Sequence, residues 1–368
     1  MKNLIKLVNL QREFAEVKAE VLGAIESVCE QGSFILGENV ERFESEFAAY
    51  VGSKFGCGVG SGTDALRIAL EAAEIGAGDE VITVSHTFVA TSDAIRTVGA
   101  KPVFVDVDPK TYNIDVSQLR SALTRRTRAV IPVHLYGQPA QLDELREFCD
   151  ANSLWLIQDA CQAHGAEYKG KRLGEYGDIL CYSFYPSKDL GAYGDAGLIT
   201  TDLREVVDRC KQLRNYGQTK KYYHDFLGHN SRLDELQAAV LRVKLRRLDE
   251  WIQKRIEAAK RYNGFFEDQL TVTTPYESST GRHVYYLYVV LVDNRDVVRQ
   301  RLNDVGVETG IHYPVPVHKQ KSYSEYAQVS LPVTETLVQK ILSLPLDPFI
   351  QEEEQKFVAL SIKKVQSG

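Results

Sequence analysis

The feature that most constrains the fold is an alternation of short β-branched runs with stretches of helical periodicity. This alternation is typical of a largely parallel sheet whose strands are joined by helical crossovers. Ligands of such sheets bind outside the carboxyl ends of the strands, so the residues that follow each strand are the first candidates for a site. Six runs are predicted as buried strands: 81–84, 102–105, 129–133, 154–157, 179–182 and 198–200. Helices are predicted between them at 63–73, 92–98 and 142–151.

A chain of 368 residues is too long for one ordinary core, so we expect more than one domain. We predict a large domain over residues 1–233, a connecting helix over 234–262 and a smaller C-terminal α+β domain over 263–368. Ser231–Asp234 resembles a capping-box start for the connecting helix. In the last domain we predict one strand at 284–292 and helices at 297–303, 335–342 and 352–362.

Composition restricts the class of protein. The formal charge of -6 argues against a protein that coats nucleic acid. Basic residues recur along the connecting helix, but acidic residues interrupt them, so we interpret them as a solvated face: Arg242, Lys244, Arg246, Arg247, Lys254 and Arg255. No window approaches the ~20 apolar residues of a membrane span, and 1–6 lacks the apolar core of a signal peptide. The six cysteines form no CxxC pair, so we expect free thiols, a cytoplasmic location and no metal site.

The first candidate for a ligand site is Gly60–Leu66, which follows a short apolar turn, 55–59, and opens a helical pattern. Glycines followed by a helix N-terminus suit a phosphate group. An ordinary capped helix, with Thr63 or Asp64 as the cap, explains the same pattern equally well.

Asp159 directly follows the predicted strand at 154–157 and opens a segment rich in small residues, 159–166. A pyridoxal phosphate (PLP) cofactor needs a carboxylate that keeps its pyridine nitrogen protonated, because this makes the ring an electron sink. An Asp at a strand end also caps turns, so the position alone does not decide. His164 in the same segment is either a general base or, as we favour, a packed or orienting residue.

Lys188 follows another predicted strand, in a loop flanked by aromatic and small residues rather than by polar ones. A lysine desolvated in such surroundings becomes a nucleophilic amine, which is what imine formation with an aldehyde cofactor requires. Ser183 could hold a phosphate oxygen. Phe88, at the end of a third strand, could stack on a planar ring or simply pack in the core.

Together these segments resemble the DegT/StrS family of nucleotide-sugar aminotransferases, in appearance most of all those acting on dTDP-3-keto-6-deoxyhexoses. The blocks that carry the resemblance are 182–197 around Lys188, 159–166 around Asp159, and Asn230–Ala239. The resemblance implies the fold-type I architecture, in which a mostly parallel seven-stranded sheet flanked by helices is joined to a smaller domain. It also implies PLP, L-glutamate as amino donor and a homodimer with shared active sites.

The resemblance assigns roles to individual residues. Lys188 would bind the cofactor and move the proton, and Asp159 would pair with the pyridine nitrogen. The other cofactor contacts would be Gly62, Thr63 and Ser183 at the phosphate, Phe88 on the ring, Gln162 near the ring hydroxyl, and Asn230 from the neighbouring subunit. The substrate contacts would be Tyr185, His312, Tyr313, Lys220 and Tyr223. For Lys220, Lys221, Tyr222, Tyr223 and His224 an exposed basic loop is an equal alternative. The chain departs from the usual pattern at Gln158, Cys161, Asp189 and Ala196.

The expected reaction is transfer of an amino group to a dTDP-linked 3-keto-6-deoxyhexose, giving the 3-amino sugar and 2-oxoglutarate. A UDP-linked 3-keto sugar, or a 4-keto sugar, is the alternative substrate. A PLP-dependent sugar dehydratase is disfavoured because Lys188 stands where the dehydratases have His. A nucleic-acid-binding regulator is the non-enzymatic alternative.

Overall fold

The computed structural model describes residues 4–366, so Met1–Asn3, part of the N-terminal stretch considered above, lie outside it, as do the last two residues. Its centre is a seven-stranded sheet with the strand order β1-β9-β8-β5-β4-β2-β3. The strand β9 runs antiparallel to both its neighbours, and the other neighbouring pairs are parallel. The predicted mostly parallel, seven-stranded sheet is confirmed.

The strands of the chain, in order, are β1 Phe55–Val59, β2 Glu80–Val84, β3 Lys101–Val105, β4 Thr127–Ile131, β5 Trp155–Asp159, β6 Glu167–Tyr168, β7 Lys171–Arg172, β8 Ile179–Ser183, β9 Gly197–Thr201, β10 Gln218–Lys220, β11 Tyr223–His224, β12 Val272–Thr273, β13 Gly281–Arg282, β14 Tyr288–Val292 and β15 Ile341–Leu344. The helices are α1 Leu10–Gln31, α2 Glu38–Tyr50, α3 Gly62–Ala72, α4 Ala90–Thr97, α5 Leu119–Ala122, α6 Leu142–Asn152, α7 Arg204–Leu213, α8 Glu235–Leu245, α9 Leu248–Phe266, α10 Arg295–Asp304, α11 Pro332–Lys340 and α12 Glu352–Gln366.

Both faces of the central sheet are buried, which explains why its strands are continuous apolar runs. Along β8, Ile179 and Cys181 join the core cluster formed with α3, α4 and α7. The alternate residues Leu180 and Tyr182 join the larger cluster, which extends into α2, α9 and the C-terminal region. The parallel strands end at one edge, so the segments after β1, β2, β5 and β8 meet there.

The prediction of a turn at 55–59 was wrong, because this segment is the edge strand β1. Glycines are unfavourable in strands, and Gly56 and Gly58 concealed the pattern. Each is required by packing. A Cβ at Gly56 would lie 2.4 Å from the Glu44 carbonyl oxygen, and one at Gly58 would lie 2.8 Å from the Leu233 side chain.

The prediction of a single connecting helix was also wrong, because α8 ends at Leu245 and α9 begins at Leu248. The sequence gives no signal for this break, because it contains neither Gly nor Pro there and the apolar periodicity continues across it. The expected capping box is absent as well. Asp234 precedes α8 without a side-chain cap, while the Ser231 hydroxyl accepts a hydrogen bond from Gly60 N at 3.1 Å.

In the C-terminal region a second, antiparallel sheet has the order β12-β14-β15. The predicted strand at 284–292 is shorter, since β14 begins at Tyr288. The predicted helix at 335–342 ends earlier, because its last apolar residues start the buried strand β15. The domain division at 233 and 262 stays a prediction. Within residues 4–366 no helix is long and apolar enough to cross a membrane.

Candidate active site

A cavity of about 480 Å³ opens at the carboxyl edge of the central sheet. Ten of the residues predicted from the sequence line it: Gly62, Thr63, Phe88, Asp159, Gln162, Ser183, Tyr185, Lys188, His312 and Tyr313. They come from five separate stretches of the chain, and the strand ends bring the first four stretches together. The cavity is therefore the place where the predicted chemistry would have to occur.

The turn between β1 and α3 forms one end of this cavity. The N-cap of α3 is Ser61, whose hydroxyl accepts from Asp64 N at 3.1 Å, so the expected caps Thr63 and Asp64 were wrong. A Cβ at Gly62 would lie 2.6 Å from the Cβ of Ser183, so only glycine allows these two segments to approach so closely. Backbone N–H groups at the start of the helix, together with the hydroxyls of Thr63 and Ser183, suit a phosphate.

Asp159 ends β5 and is 5% exposed. Its Oδ2 accepts a hydrogen bond from the Thr91 hydroxyl at 2.7 Å, and its Oδ1 accepts from Cys161 N at 3.2 Å. Among residues 4–366 no Lys, Arg or His forms an ion pair with this carboxylate. A buried acid held in this way needs a cationic partner from a ligand, and a protonated pyridine nitrogen fits that need.

Lys188 lies in the loop between β8 and β9, and its Nζ is 4.5 Å from the centre of the Tyr286 ring. The loop is held in place by backbone hydrogen bonds, from Ala192 N to Phe184 O and from Phe184 N to Ala196 O, each 2.8 Å. The amine thus lines the cavity over the face of an aromatic ring, where an imine-forming lysine would have to lie.

An aromatic group, Phe88 and Tyr313, also lines the cavity. The rings of Phe88 and Tyr313 lie 5.5 Å apart at 42°. The Gln162 amide donates to the Tyr313 hydroxyl at 3.3 Å and accepts from Tyr136 N at 2.8 Å. Burial raises the pKa of Tyr313 well above its usual value, so its hydroxyl stays protonated.

His312 lies beside this group, where its Nδ1 is 2.8 Å from the Ser343 hydroxyl. Burial, with a smaller effect of the positive charge on Lys188, lowers the pKa of His312 to about 4, so the imidazole is neutral at pH 7. A neutral imidazole can offer a hydrogen bond to a sugar hydroxyl without adding charge.

His164 does not line the cavity. It is buried among Phe47, Tyr182 and Phe184, whose rings lie 6.2, 5.6 and 5.5 Å away. Burial lowers the pKa of His164 to about 3. Its position therefore agrees with packing and excludes contact with a substrate in this cavity.

Three predicted residues lie outside the cavity of this chain, and all are exposed: Asn230, Lys220 and Tyr223. Asn230 forms a bridge with Asn215, and Lys220 and Tyr223 belong to the hairpin β10–β11. Within residues 4–366 no group of acidic, His or Cys side chains is arranged to hold a metal ion.

Sequence reasoning missed two residues of the site. Thr91 holds Asp159, and its signal was a pair of hydroxyls four residues apart, Thr87 and Thr91, directly after a strand. Tyr286 faces Lys188 but lies in an aromatic run, 285–288, that carries no signal for function.

Comparison with known proteins gives the same picture. The family described as the DegT/DnrJ/EryC1/StrS aminotransferase family matches residues 15–363. A dTDP-3-amino-3,4,6-trideoxy-alpha-D-glucose transaminase of Streptomyces venezuelae is 41% identical over 95% of this chain and 93% of its own length. A UDP-N-acetyl-3-dehydro-alpha-D-glucosamine 3-aminotransferase of Acidithiobacillus ferrooxidans is 40% identical over 99% and 98%. A protein of Geobacillus stearothermophilus named a pleiotropic regulatory protein is 42% identical over 97% of each chain.

Solved structures agree with the sequence relatives. DesV of S. venezuelae, in complex with a ketimine intermediate, superimposes with a TM-score of 0.96 at 40% identity, covering 98% of both chains. A Bacillus subtilis protein with the bound cofactor PMP superimposes with a TM-score of 0.91 at 32% identity, covering 100% of this chain and 87% of its own. The predicted fold-type I architecture, PLP dependence and transaminase activity are confirmed. The chain belongs to the DegT/DnrJ/EryC1/StrS aminotransferase family.

Proposed function

We propose that this aminotransferase moves an amino group from L-glutamate to a dTDP-linked 3-keto-6-deoxyhexose, with Lys188 as its cofactor-binding lysine. The observation that carries the proposal is the convergence of Lys188, Asp159 and the Gly62 turn on one cavity. They provide an amine, a buried carboxylate that forms no ion pair within residues 4–366, and a place for a phosphate. Bound PLP supplies an aldehyde carbon and an electron-accepting ring.

The residues of the site divide the work. Gly62, Thr63 and Ser183 would hold the phosphate, and Asp159 would hold the proton on the pyridine nitrogen. Phe88 would cover one face of the ring, and Gln162 would lie near the ring hydroxyl. The Nζ of Lys188 would move the proton from the amino donor's Cα to the former aldehyde carbon of the cofactor, and in the second half-reaction from that carbon to the sugar carbon that receives the amino group. Tyr185, His312 and Tyr313 would contact the sugar.

The choice of the dTDP-linked 3-keto sugar is supported by the S. venezuelae relative, and the UDP-linked alternative by the A. ferrooxidans relative. We would assay dTDP- and UDP-linked 3-keto and 4-keto sugars with glutamate and detect the amine product by mass spectrometry. Amine from the dTDP-linked 3-keto sugar alone is expected, and preference for a UDP-linked or 4-keto sugar would overturn the substrate assignment.

We also propose a homodimer in which Asn230 completes the partner's phosphate site. Two observations support this: Asn230 is exposed, and it is absent from the cavity of its own chain. Asn230→Ala should weaken PLP binding without affecting folding. A monomer in sedimentation analysis, at concentrations at which the enzyme is active, would refute the shared site.

The alternative function is that of a regulator that binds nucleic acid, and one relative has the name of a regulatory protein. The basic residues between 242 and 255 do not support it. Arg242, Arg246, Arg247 and Lys254 are paired with carboxylates of Glu46, Glu20 and Glu250. Lys244 and Arg255 are buried, so the prediction that they lie on a solvated face was wrong. Salt-sensitive DNA binding by the purified protein would revive the alternative.

A further inference from the structure

The two buried cations of α8 and α9 both reach the loop that carries Lys188. Arg255 Nε lies 3.1 Å from the carboxylate of Asp189, the residue next to Lys188, and both side chains are almost fully buried. Lys244 is paired with the buried Glu13 and donates to the carbonyl oxygen of Gly191. Two consecutive helices thus fasten the loop, at Asp189 and at Gly191, with one charged group each.

Arg255 also contacts the backbone of a residue that lies against Lys188. Its Nη1 donates to Leu346 O at 3.2 Å and to Tyr286 O at 3.5 Å. Tyr286 is the residue whose ring faces Lys188 Nζ. One guanidinium therefore connects the side chain of the residue next to Lys188 with the backbone of the residue whose ring faces its amine.

Stability alone does not account for a charge pair in this place. Removing two ions from water is costly, and apolar residues of similar volume often stabilise a buried position as well or better. Fixed charges near an amine, in contrast, act directly on its affinity for a proton, and the charge of Lys188 acts on the Asp189 carboxyl. The Asp189 carboxylate favours a cation at Lys188, and the Arg255 guanidinium opposes it.

We propose that the Asp189–Arg255 ion pair positions Lys188 and sets the proton affinity of its nitrogen, so that Asp189 is a positioning residue for transamination. This inference rests on the proposed role of Lys188. The surroundings also change the proton affinity of Asp189. Burial raises the pKa of its carboxyl to about 6, while the positive charges of Arg255 and Lys188 oppose that rise.

The test is a pH titration of the visible absorbance of the holoenzyme, which reports protonation of the Lys188 nitrogen linked to the cofactor. Asp189→Asn keeps the size of the side chain but leaves the positive charge of Arg255 unbalanced. We expect its midpoint to fall by about one pH unit. Adding Arg255→Gln to Asp189→Asn removes both charges and should bring the midpoint back towards the wild-type value. Arg255→Lys keeps both charges and should leave it unchanged.

A matched control is Glu80→Gln, which removes another buried carboxylate at the opposite edge of the sheet, where β2 begins. It should lower the thermal midpoint without moving the titration. If a variant fails to retain the cofactor, the pH dependence of Lys188 acylation in the cofactor-free protein, followed by peptide mass spectrometry, should shift in the same direction.

The inference would be overturned if the titration midpoint of Asp189→Asn equalled that of the wild type. It would also be overturned if the midpoint of the double variant were as low as that of Asp189→Asn. Borohydride reduction of the wild-type holoenzyme separates this failure from that of the proposed function. If the cofactor is fixed on the Lys188 peptide but the titration midpoint of Asp189→Asn does not shift, only the ion-pair proposal is refuted. If the cofactor is fixed on another peptide, the ion-pair proposal and the proposed function are both refuted.

Discussion

At the scale of single residues, the site depends on side chains whose neighbours leave little freedom. Asp159 is held by one hydroxyl and one backbone N–H, and Gly62 is held by contact with Ser183. Both positions were predicted from the sequence, but the contacts that make them rigid were not. Substitutions that preserve volume can therefore separate the chemical role from the packing role.

Asp159→Asn should slow glutamate-driven conversion of the bound cofactor by roughly 100-fold or more, since a positioned charge is replaced by a neutral amide of similar size. Thr91→Val removes only one of the two hydrogen bonds that hold the Asp159 carboxylate, worth about 1 kcal/mol, and should cost about 5-fold. Single-turnover absorbance measurements with glutamate check both values. A wild-type rate in Asp159→Asn would remove this residue from the mechanism.

Gly62→Ala should weaken PLP binding strongly, because the added Cβ would meet Ser183 within 2.6 Å and push the turn out of the phosphate seat. Gly264→Ala is the control, since a Cβ there has no neighbour within 4 Å. Spectrophotometric titration of the cofactor-free protein measures the binding. Equal affinities of the two variants would show that the turn does not hold the phosphate.

At the scale of elements, one helix caps another. The carboxylate of Glu235, the first residue of α8, accepts hydrogen bonds from the backbone of Gly37, Asn39 and Val40 at the start of α2. It thereby satisfies N–H groups that have no partner within α2. Glu235 is buried, and nothing in its local sequence distinguishes it from a capping-box acid.

Glu235→Ala should lower the free energy of unfolding by about 2–4 kcal/mol, because several buried donors lose their acceptor at once. Glu38→Ala, which removes an exposed acid in the first turn of α2, should cost less than about 1 kcal/mol. Urea denaturation followed by circular dichroism compares the two. Similar losses would mean that the Glu235 cap contributes little.

At the scale of the whole molecule, several histidines are buried without charge. Burial lowers the pKa of each to about 3 or about 4: His86, His134, His164 and His283. Their pKa in the unfolded chain is near 6.5, so between about pH 6.5 and pH 4 the unfolded state binds more protons. Stability should therefore fall as the pH falls through this range. Asp189 has the opposite effect on stability, because its pKa is raised to about 6, but it is a single group against four histidines.

Each such histidine contributes up to about 1.4 kcal/mol per pH unit between the two pKa values. His164→Phe should reduce the slope by about that amount, since a phenyl ring suits its aromatic surroundings. Urea unfolding at pH 7, 6 and 5 gives the slope for both proteins. An unchanged slope would mean that His164 does not contribute through its proton.

The sequence by itself predicted the alternation of strands and helices around the central sheet, the edge at which a ligand is expected to bind, and the two residues most diagnostic of a PLP site, Lys188 and Asp159. These features are local, because a buried strand and the loop after it leave their pattern in consecutive residues. The tertiary structure decided which distant residues act on that site. Thr91 meets Asp159, and Arg255 meets Asp189, only because tertiary packing brings the helices α4 and α9 to these residues. The sequence does not distinguish an arginine on a solvated face from one in a buried ion pair. The role of Arg255 beside Asp189 therefore becomes visible only when its burial is known.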